Sequence, residues 1–151
     1  MKDKDEILMA LTISEAERAA RENEVPVGAL IALGDEVISK SYNQSIKNTD
    51  PTAHAEINAI KIAANKIGNY RLSECSIYVS LEPCVMCYGA IVQARIKRII
   101  FSAYDSKTGA CGSCLNFSNS QCFNHKPEIV GGVLMEKSSK ILRDFFKERR
   151  I

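Results

Sequence analysis

Apolar and polar positions along this chain follow two periods. Over residues 5–23, Leu8, Leu11, Ala16 and Ala19 recur at helical spacing with Glu15, Arg18 and Glu22 elsewhere, which predicts an amphipathic helix. Val27–Leu33 and Glu36–Tyr42 predict two strands, joined by the two-residue turn Gly34-Asp35. A polar loop, Asn43–Asp50, follows. Pro51-Thr52 introduces a second helix over 53–66, ended near Gly68. Ile77–Leu81 predicts a short apolar strand. Pro83 suits the first position of a third helix, because the N–H it lacks would have no partner there; that helix runs to about Ala94. Arg98–Ala103 predicts a strand, Tyr104–Lys126 a long loop and Glu128–Leu134 a last strand. Residues 136–149 predict a terminal helix whose apolar face is Ile141, Leu142, Phe145 and Phe146.

The order is α-β-β-α-β-α-β-β-α. The strand–helix–strand unit at 77–103 implies a parallel pair joined by a crossover. The expected fold class is therefore α/β, a three-layer α/β/α sandwich on a mixed five-stranded sheet, in one domain over residues 1–151. No repeat, low-complexity tract or linker divides the chain. The 23-residue loop 104–126 is long for a compact domain, so it is either functional or holds structure that the pattern does not show.

Composition narrows the class. A chain of 151 residues can bury about two-thirds of its unfolded surface without disulfides. Its 46% hydrophobic and 25% charged residues exclude disorder, collagen-like repeats and coiled coil as whole-chain descriptions. The longest nearly apolar stretch, Val25–Leu33, has nine residues and contains Pro26 and Gly28, against the roughly twenty that a membrane-spanning helix needs. No membrane partner is expected. The opening MKDKDEILMA has no apolar signal core, so the expected compartment is the cytoplasm. The net charge of +2 announces no nucleic-acid partner, but its distribution is uneven. Residues 1–24 carry four basic and seven acidic side chains, whereas residues 137–151 carry six basic and two acidic. A charge run of this kind is either a solvated helix face or a tail that contacts phosphates.

The candidate chemistry lies in the cysteines and histidines. Of six cysteines, Cys84/Cys87 and Cys111/Cys114 have C-x-x-C spacing. Without a signal peptide, metal or redox chemistry is a better reading than a disulfide framework. His54 starts the second helix, and Cys84 and Cys87 start the third, three residues apart and so on one side of it. Free N–H groups at a helix N-terminus favour thiolate, the form that binds zinc. If both helix starts face one point, His54, Cys84 and Cys87 supply three ligands and leave the fourth for water, which marks a catalytic zinc site and not a structural one. Glu56, two residues from the histidine, can move protons at that water. Three other readings compete: a structural site made of Cys84, Cys87, Cys111 and Cys114, a thioredoxin-like redox pair, and a His54 that merely belongs to the core. The first leaves His54 and Glu56 without a role, nothing else supports the second, and the Glu at +2 with the Pro-Cys pair downstream counts against the third. Cys75 and Cys122 read as inert.

H-x-E at 54–56 followed by P-C-x-x-C at 83–87 resembles the signature of the zinc nucleobase and nucleoside deaminases. The resemblance extends to Asn43, DPTAHAEINAI (50–60), NYRL (69–72), SLEPCVMCYGAIVQARI (80–96), residues 104–110, Asn124-His125 and residues 144–150. Across nearly its whole length the chain is similar to the bacterial tRNA-specific adenosine deaminases. That resemblance implies a cytidine-deaminase-like fold, a homodimer, one catalytic Zn²⁺ per chain and a tRNA anticodon stem-loop as partner. It implies hydrolysis of the wobble adenosine to inosine, with attack at C6 and Glu56 carrying the proton to N1 and to the departing ammonia. Asn43 would contact the flipped nucleoside and Val27 would line its base pocket. Asp105, Lys107 and Asn124 would contact the anticodon loop. Phe145 would pack near a flipped neighbouring base, with Arg149 and Arg150 near phosphates; one of Phe145 and Phe146 is expected in the core. Two departures from the family pattern, Ser106 and the pair Cys111/Cys114, are read as incidental. The alternatives are a deaminase of a free base or nucleoside (guanine, cytosine or cytidine), distinguished by the loop and tail, and a non-catalytic zinc-stabilised RNA-binding module, which would have no use for Glu56.

Overall fold

The computed structural model of the chain describes residues 3–118 and 120–149. The elements are α1 (Lys4–Arg21), β1 (Gly28–Leu33), β2 (Glu36–Tyr42), α2 (Ala55–Ile67), β3 (Cys75–Leu81), α3 (Val85–Gln93), β4 (Arg98–Ala103), β5 (Glu128–Val130) and α4 (Met135–Arg149). The strands form one sheet in the order β2-β1-β3-β4-β5. β1 runs antiparallel to β2 and to β3, whereas β3, β4 and β5 are parallel, so the sheet is mixed as the sequence pattern requires.

Side chains alternate across the sheet and build two cores. Ile31, Ile77, Val79, Ile99 and Phe101 face α2 and α3, packing on Ala55, Ala59, Ala63, Tyr88 and Ile91. Leu30, Ala32, Tyr78 and Ile100 face the other way, onto Leu8, Met9 and Ile13 of α1 and Ile141 of α4. Because both faces are covered, β1, β3 and β4 read as runs of mostly apolar residues with no polar stripe. Ala55, Ala59 and Ala63 recur every fourth residue, so α2 presents only methyl groups to the sheet and lies close to it.

Strand direction decides where a site can form. β1 pairs antiparallel with β3, so its start at Gly28 lies beside the end of β3. Tyr42, the last residue of β2, pairs with Gly28, and Leu81 pairs with Ala103. The loops that start α2 and α3 therefore leave from one end of the sheet, where α/β folds place their ligands.

Some element boundaries differ from the pattern. α1 ends at Arg21, because the chain turns at Asn23, which has φ 62°. Pro83 does not open α3; Cys84 caps that helix and the buried Pro83 precedes the cap. The last strand stops at Val130, short of Leu134. Gly132 (φ 88°) turns the chain away, and a Cβ on Gly131 would lie 2.8 Å from Phe101 Cε1.

One polar contact ties the layers together. Asp5, in the first turn of α1, accepts from Arg98 Nη2 of β4 (3.0 Å) and from the Tyr78 hydroxyl of β3 (2.6 Å). Burial pushes the Asp5 carboxyl up, but the hydrogen bonds from Arg98 and Tyr78 outweigh it and hold the group below the usual carboxylate range. Stability from this lowered value is complete above the unfolded pKa of about 3.9 and is lost as pH falls through the folded value. Asp5→Asn should cost about 1–2 kcal/mol at pH 7, as expected for a partly exposed charge-assisted contact. In urea unfolding at stepped pH, the gap between variant and parent should narrow progressively as pH falls below about 4; a gap that does not change with pH would assign the loss to packing.

Candidate active site

Two helix starts meet at this end of the sheet. His54 caps α2 and Cys84 caps α3, both in extended backbone, and neither side chain makes the usual N-cap hydrogen bond. Both are thus free to turn toward a common point. Cys87 follows Cys84 by three residues, onto the same side of α3. His54 Nδ1 lies 3.8 Å from Cys84 Sγ and 3.5 Å from Cys87 Sγ. Ligands bonded to one tetrahedral zinc at about 2.1 Å (N) and 2.3 Å (S) are about 3.6 Å apart, so the spacing and donor set both fit such an ion. Among the described residues these three form the one such cluster, and neither Cys111 nor Cys114 joins it. The four-cysteine alternative is therefore not what the fold builds.

The three side chains form one proton-sharing group. A hydrogen bond from the Cys87 thiol, reinforced against burial by one with His54, holds Cys84 down at about 4, so Cys84 is the thiolate. The same bond, with burial and Glu56, pushes Cys87 up. The contact with Cys84 raises His54 despite partial burial. Glu56, 4% exposed in the first turn of α2, is raised by desolvation to about 7. Half-buried Cys111 is pushed up to about 12 by burial and by Glu82 and Glu56, so its thiol stays protonated.

The cluster borders a cavity of about 180 Å³. Val25, Val27 and Leu81 make its apolar wall, and Asn43, Glu56, Glu82, Asp105 and Thr108 its polar one. A groove of about 530 Å³ shares Val25, Leu81, Asp105 and Thr108 with the cavity and continues past Lys107, Leu142, Phe146 and Arg149. The structure thus brings Val27, Asn43, His54, Glu56, Cys84 and Asp105 together and sets Lys107 and Arg149 just outside.

Two of the remaining expected residues stand differently. Phe145 is buried (7% exposed), while Phe146 (45% exposed) lines the groove. The correction has a physical reason: the Arg149 guanidinium lies 3.6 Å over the Phe145 ring and covers its outer face. Asn124 is exposed and lines neither cavity nor groove. Arg150 lies outside the described residues. Asp105 is not a free carboxylate either; it accepts from Lys107 N–H (3.0 Å), Thr108 N–H (3.1 Å) and the Thr108 hydroxyl (2.7 Å), and so shapes its own turn.

Sequence reasoning assigned no role to Val25, Leu81, Thr108, Leu142 or Glu24. Buried Glu24 accepts from the N–H groups of Ile46 (3.1 Å) and Lys47 (2.8 Å), which pins the polar loop that follows Asn43. Leu81 carried a signal, since the last residue of a strand two positions before a ligand segment must face the site's rim.

Comparison with known proteins agrees with this geometry. The family described as MafB19-like deaminase matches residues 3–150. A tRNA-specific adenosine deaminase of Haemophilus influenzae is 46% identical over 97% of this chain and 85% of its own. A solved structure from work on A-to-I editing by tRNA:A34 deaminases at the wobble position of transfer RNA superposes with TM-score 0.87 at 40% identity, covering 89% of this chain and 97% of that one. A guanine deaminase from Nitrosomonas europaea shares the fold, with TM-score 0.81 at 21% identity over 93% of this chain and 83% of that one.

Removing one member of the cluster should abolish high-affinity metal binding. Purified His54→Ala and Cys87→Ala should each contain less than about a tenth of the divalent metal of the parent by elemental analysis, since three protein ligands already leave one position open. Full metal content in Cys87→Ala would show that the ion is held elsewhere.

Proposed function

The chain belongs to the MafB19-like deaminases and to the tRNA-specific adenosine deaminases, and from that premise we infer that it hydrolyses the wobble adenosine of a tRNA anticodon to inosine. The observation that carries this reading is the shared wall between pocket and groove. A pocket of about 180 Å³ suits one base, and Val25, Leu81, Asp105 and Thr108 continue it into a larger groove flanked by Lys107 and Arg149. Unstacked loop bases are recognised in this way, by apolar and aromatic faces for bases and cations for phosphates.

His54, Cys84 and Cys87 would hold one Zn²⁺ per chain. Bound there, zinc supplies a Lewis acid that makes water nucleophilic near neutral pH. This chain's residues do the rest. Val25, Val27 and Leu81 present an apolar wall to the adenine, with Asn43 as the polar group at its edge. Glu56, buried and raised to about 7, is poised to take one proton from the attacking water and deliver it to N1, and then to pass the proton of the hydroxyl left on C6 to the leaving amine. Water is consumed, the C6–N bond breaks, ammonia leaves and a carbonyl remains at C6. Lys107 and Arg149 would neutralise the flanking phosphates.

A homodimer follows from the family resemblance, and Ile62 of α2 and Val85 of α3 are exposed apolar side chains available to a second copy. No described helix is long and apolar enough to cross a membrane. The cytoplasm, where tRNA is found, is the proposed compartment.

Two measurements test the reading. The zinc-loaded protein should form inosine on an RNA hairpin with an ACG anticodon loop and leave free adenosine, guanine, cytosine and cytidine unchanged. Turnover of a free base or nucleoside instead would keep the chemistry and overturn the RNA substrate, and silence on every substrate would favour the binding module. Glu56→Ala should keep its zinc and its circular dichroism and lose at least ~10²–10⁴-fold in kcat. Activity within tenfold of the parent would remove Glu56 from proton transfer.

A further inference from the structure

We propose that Glu82 is a positioning residue that clamps the loop from Asp105 to Ser113 into place as the RNA-facing wall of the site; the assignment rests on the deaminase reading above. Glu82 is 3% exposed, lines the pocket beside Leu81 and directly precedes the Pro83-Cys84 ligand segment. No metal or proton-transfer role falls to it. Its carboxylate accepts four hydrogen bonds, all from this loop. Oε1 takes the Asp105 N–H (3.0 Å) and the Ser113 hydroxyl. Oε2 takes the N–H groups of Cys111 (2.9 Å) and Ser113 (3.1 Å). Among the described residues no lysine or arginine pairs with Glu82, so loop dipoles alone replace its water.

The surrounding backbone is built around the same contact. Ala110 N–H donates to the Pro83 carbonyl (2.8 Å) and Glu82 N–H to the Ala103 carbonyl (2.8 Å). A Cβ on Gly109 would lie 2.6 Å from Glu82 Oε1, so the loop passes where only glycine fits. The clamp then propagates. Glu82 fixes the backbone of Asp105, the Asp105 carboxylate fixes Lys107 and Thr108, and Asp105 and Thr108 line both pocket and groove. A long loop tied to a ligand segment at one buried carboxylate can present recognition groups without the entropy cost of ordering them on binding.

Glu82→Gln keeps the shape but turns an N–H₂ toward N–H donors. A variant that is only less stable lowers the active fraction, so kcat falls and KM stays. A clamp predicts the opposite split. In the zinc-loaded protein, Glu82→Gln should raise KM for the anticodon hairpin by about 10- to 100-fold, with the smaller share of the loss in kcat and with unchanged metal content. Amide exchange at Asp105, Cys111 and Ser113 should speed up by about tenfold or more, while core amides of β3 and β4 keep their protection. Glu82→Asp, which retains the carboxylate, should recover part of both effects. Ser113→Ala, an exposed site that removes one donor, should shift exchange in the same direction by less, and it decides the matter if Glu82→Gln does not fold. Unchanged exchange at the three amides, a loss confined to kcat, or loss of metal in step with activity overturns the proposal. Failure of the unmutated protein on the hairpin overturns the deaminase reading alone, since exchange needs no substrate.

Discussion

One histidine and two cysteines can face a common point only if two helices begin side by side, and the sheet is what fixes those beginnings. α2 and α3 both pack on the same face of the sheet, α2 through Ala55, Ala59 and Ala63 and α3 through Tyr88 and Ile91. Their depth is set by close packing and their start by the ends of β2 and β3. Neither N-cap side chain serves its own helix, as a serine or aspartate would at that position. Each helix forgoes that cap, and its N-cap side chain turns to the common cluster instead. The ligand cluster, the acidic side chain beside it and the pocket all depend on this arrangement.

The same end of the molecule concentrates buried carboxylates. Glu24, Glu56 and Glu82 are each under 5% exposed, but their surroundings give them different work. Glu24 and Glu82 have their oxygens filled by loop N–H groups, which ties down the two irregular segments that frame the pocket. Glu56 is raised by desolvation to about 7, the condition of a group that exchanges protons near neutrality. Identical side chains thus become two clamps and one shuttle according to how many donors surround them.

Much of this was legible in the sequence, for local reasons. Pro51-Thr52, Gly68 and Pro83 punctuate the helices, and the mostly apolar runs of β3 and β4 announce strands covered on both faces. His54, Glu56, Cys84 and Cys87 were readable because spacing along a helix start already fixes a side. What escaped was set by contacts across the chain. Glu82 sits inside a quoted motif, yet its donors come from residues 105, 111 and 113, which nothing local pairs with it. The choice between Phe145 and Phe146 was equally closed to pattern. Adjacent residues on a helix differ by about 100° of arc, and both fall within the wide apolar stripe of α4, so only the packing of α4 on its neighbours separates core from groove.

The basic tail shows how such contacts change the meaning of a charge. By sequence alone Arg149 could be a frayed, solvated end. In the fold its guanidinium stacks on Phe145, donates to the Phe145 carbonyl (3.2 Å) and reaches Asn23 Oδ1 at 2.8 Å. Asn23 is the turn residue that ends α1, so Arg149 joins the last helix to the first across the rim of the groove. A long flexible cation normally loses rotamer freedom when it binds a phosphate. Here that ordering is already present in the unbound chain, and the guanidinium still borders the groove. The charge excess of residues 137–151 therefore reaches the site through a side chain already held in place, as Glu82 holds Asp105 and, through it, Lys107.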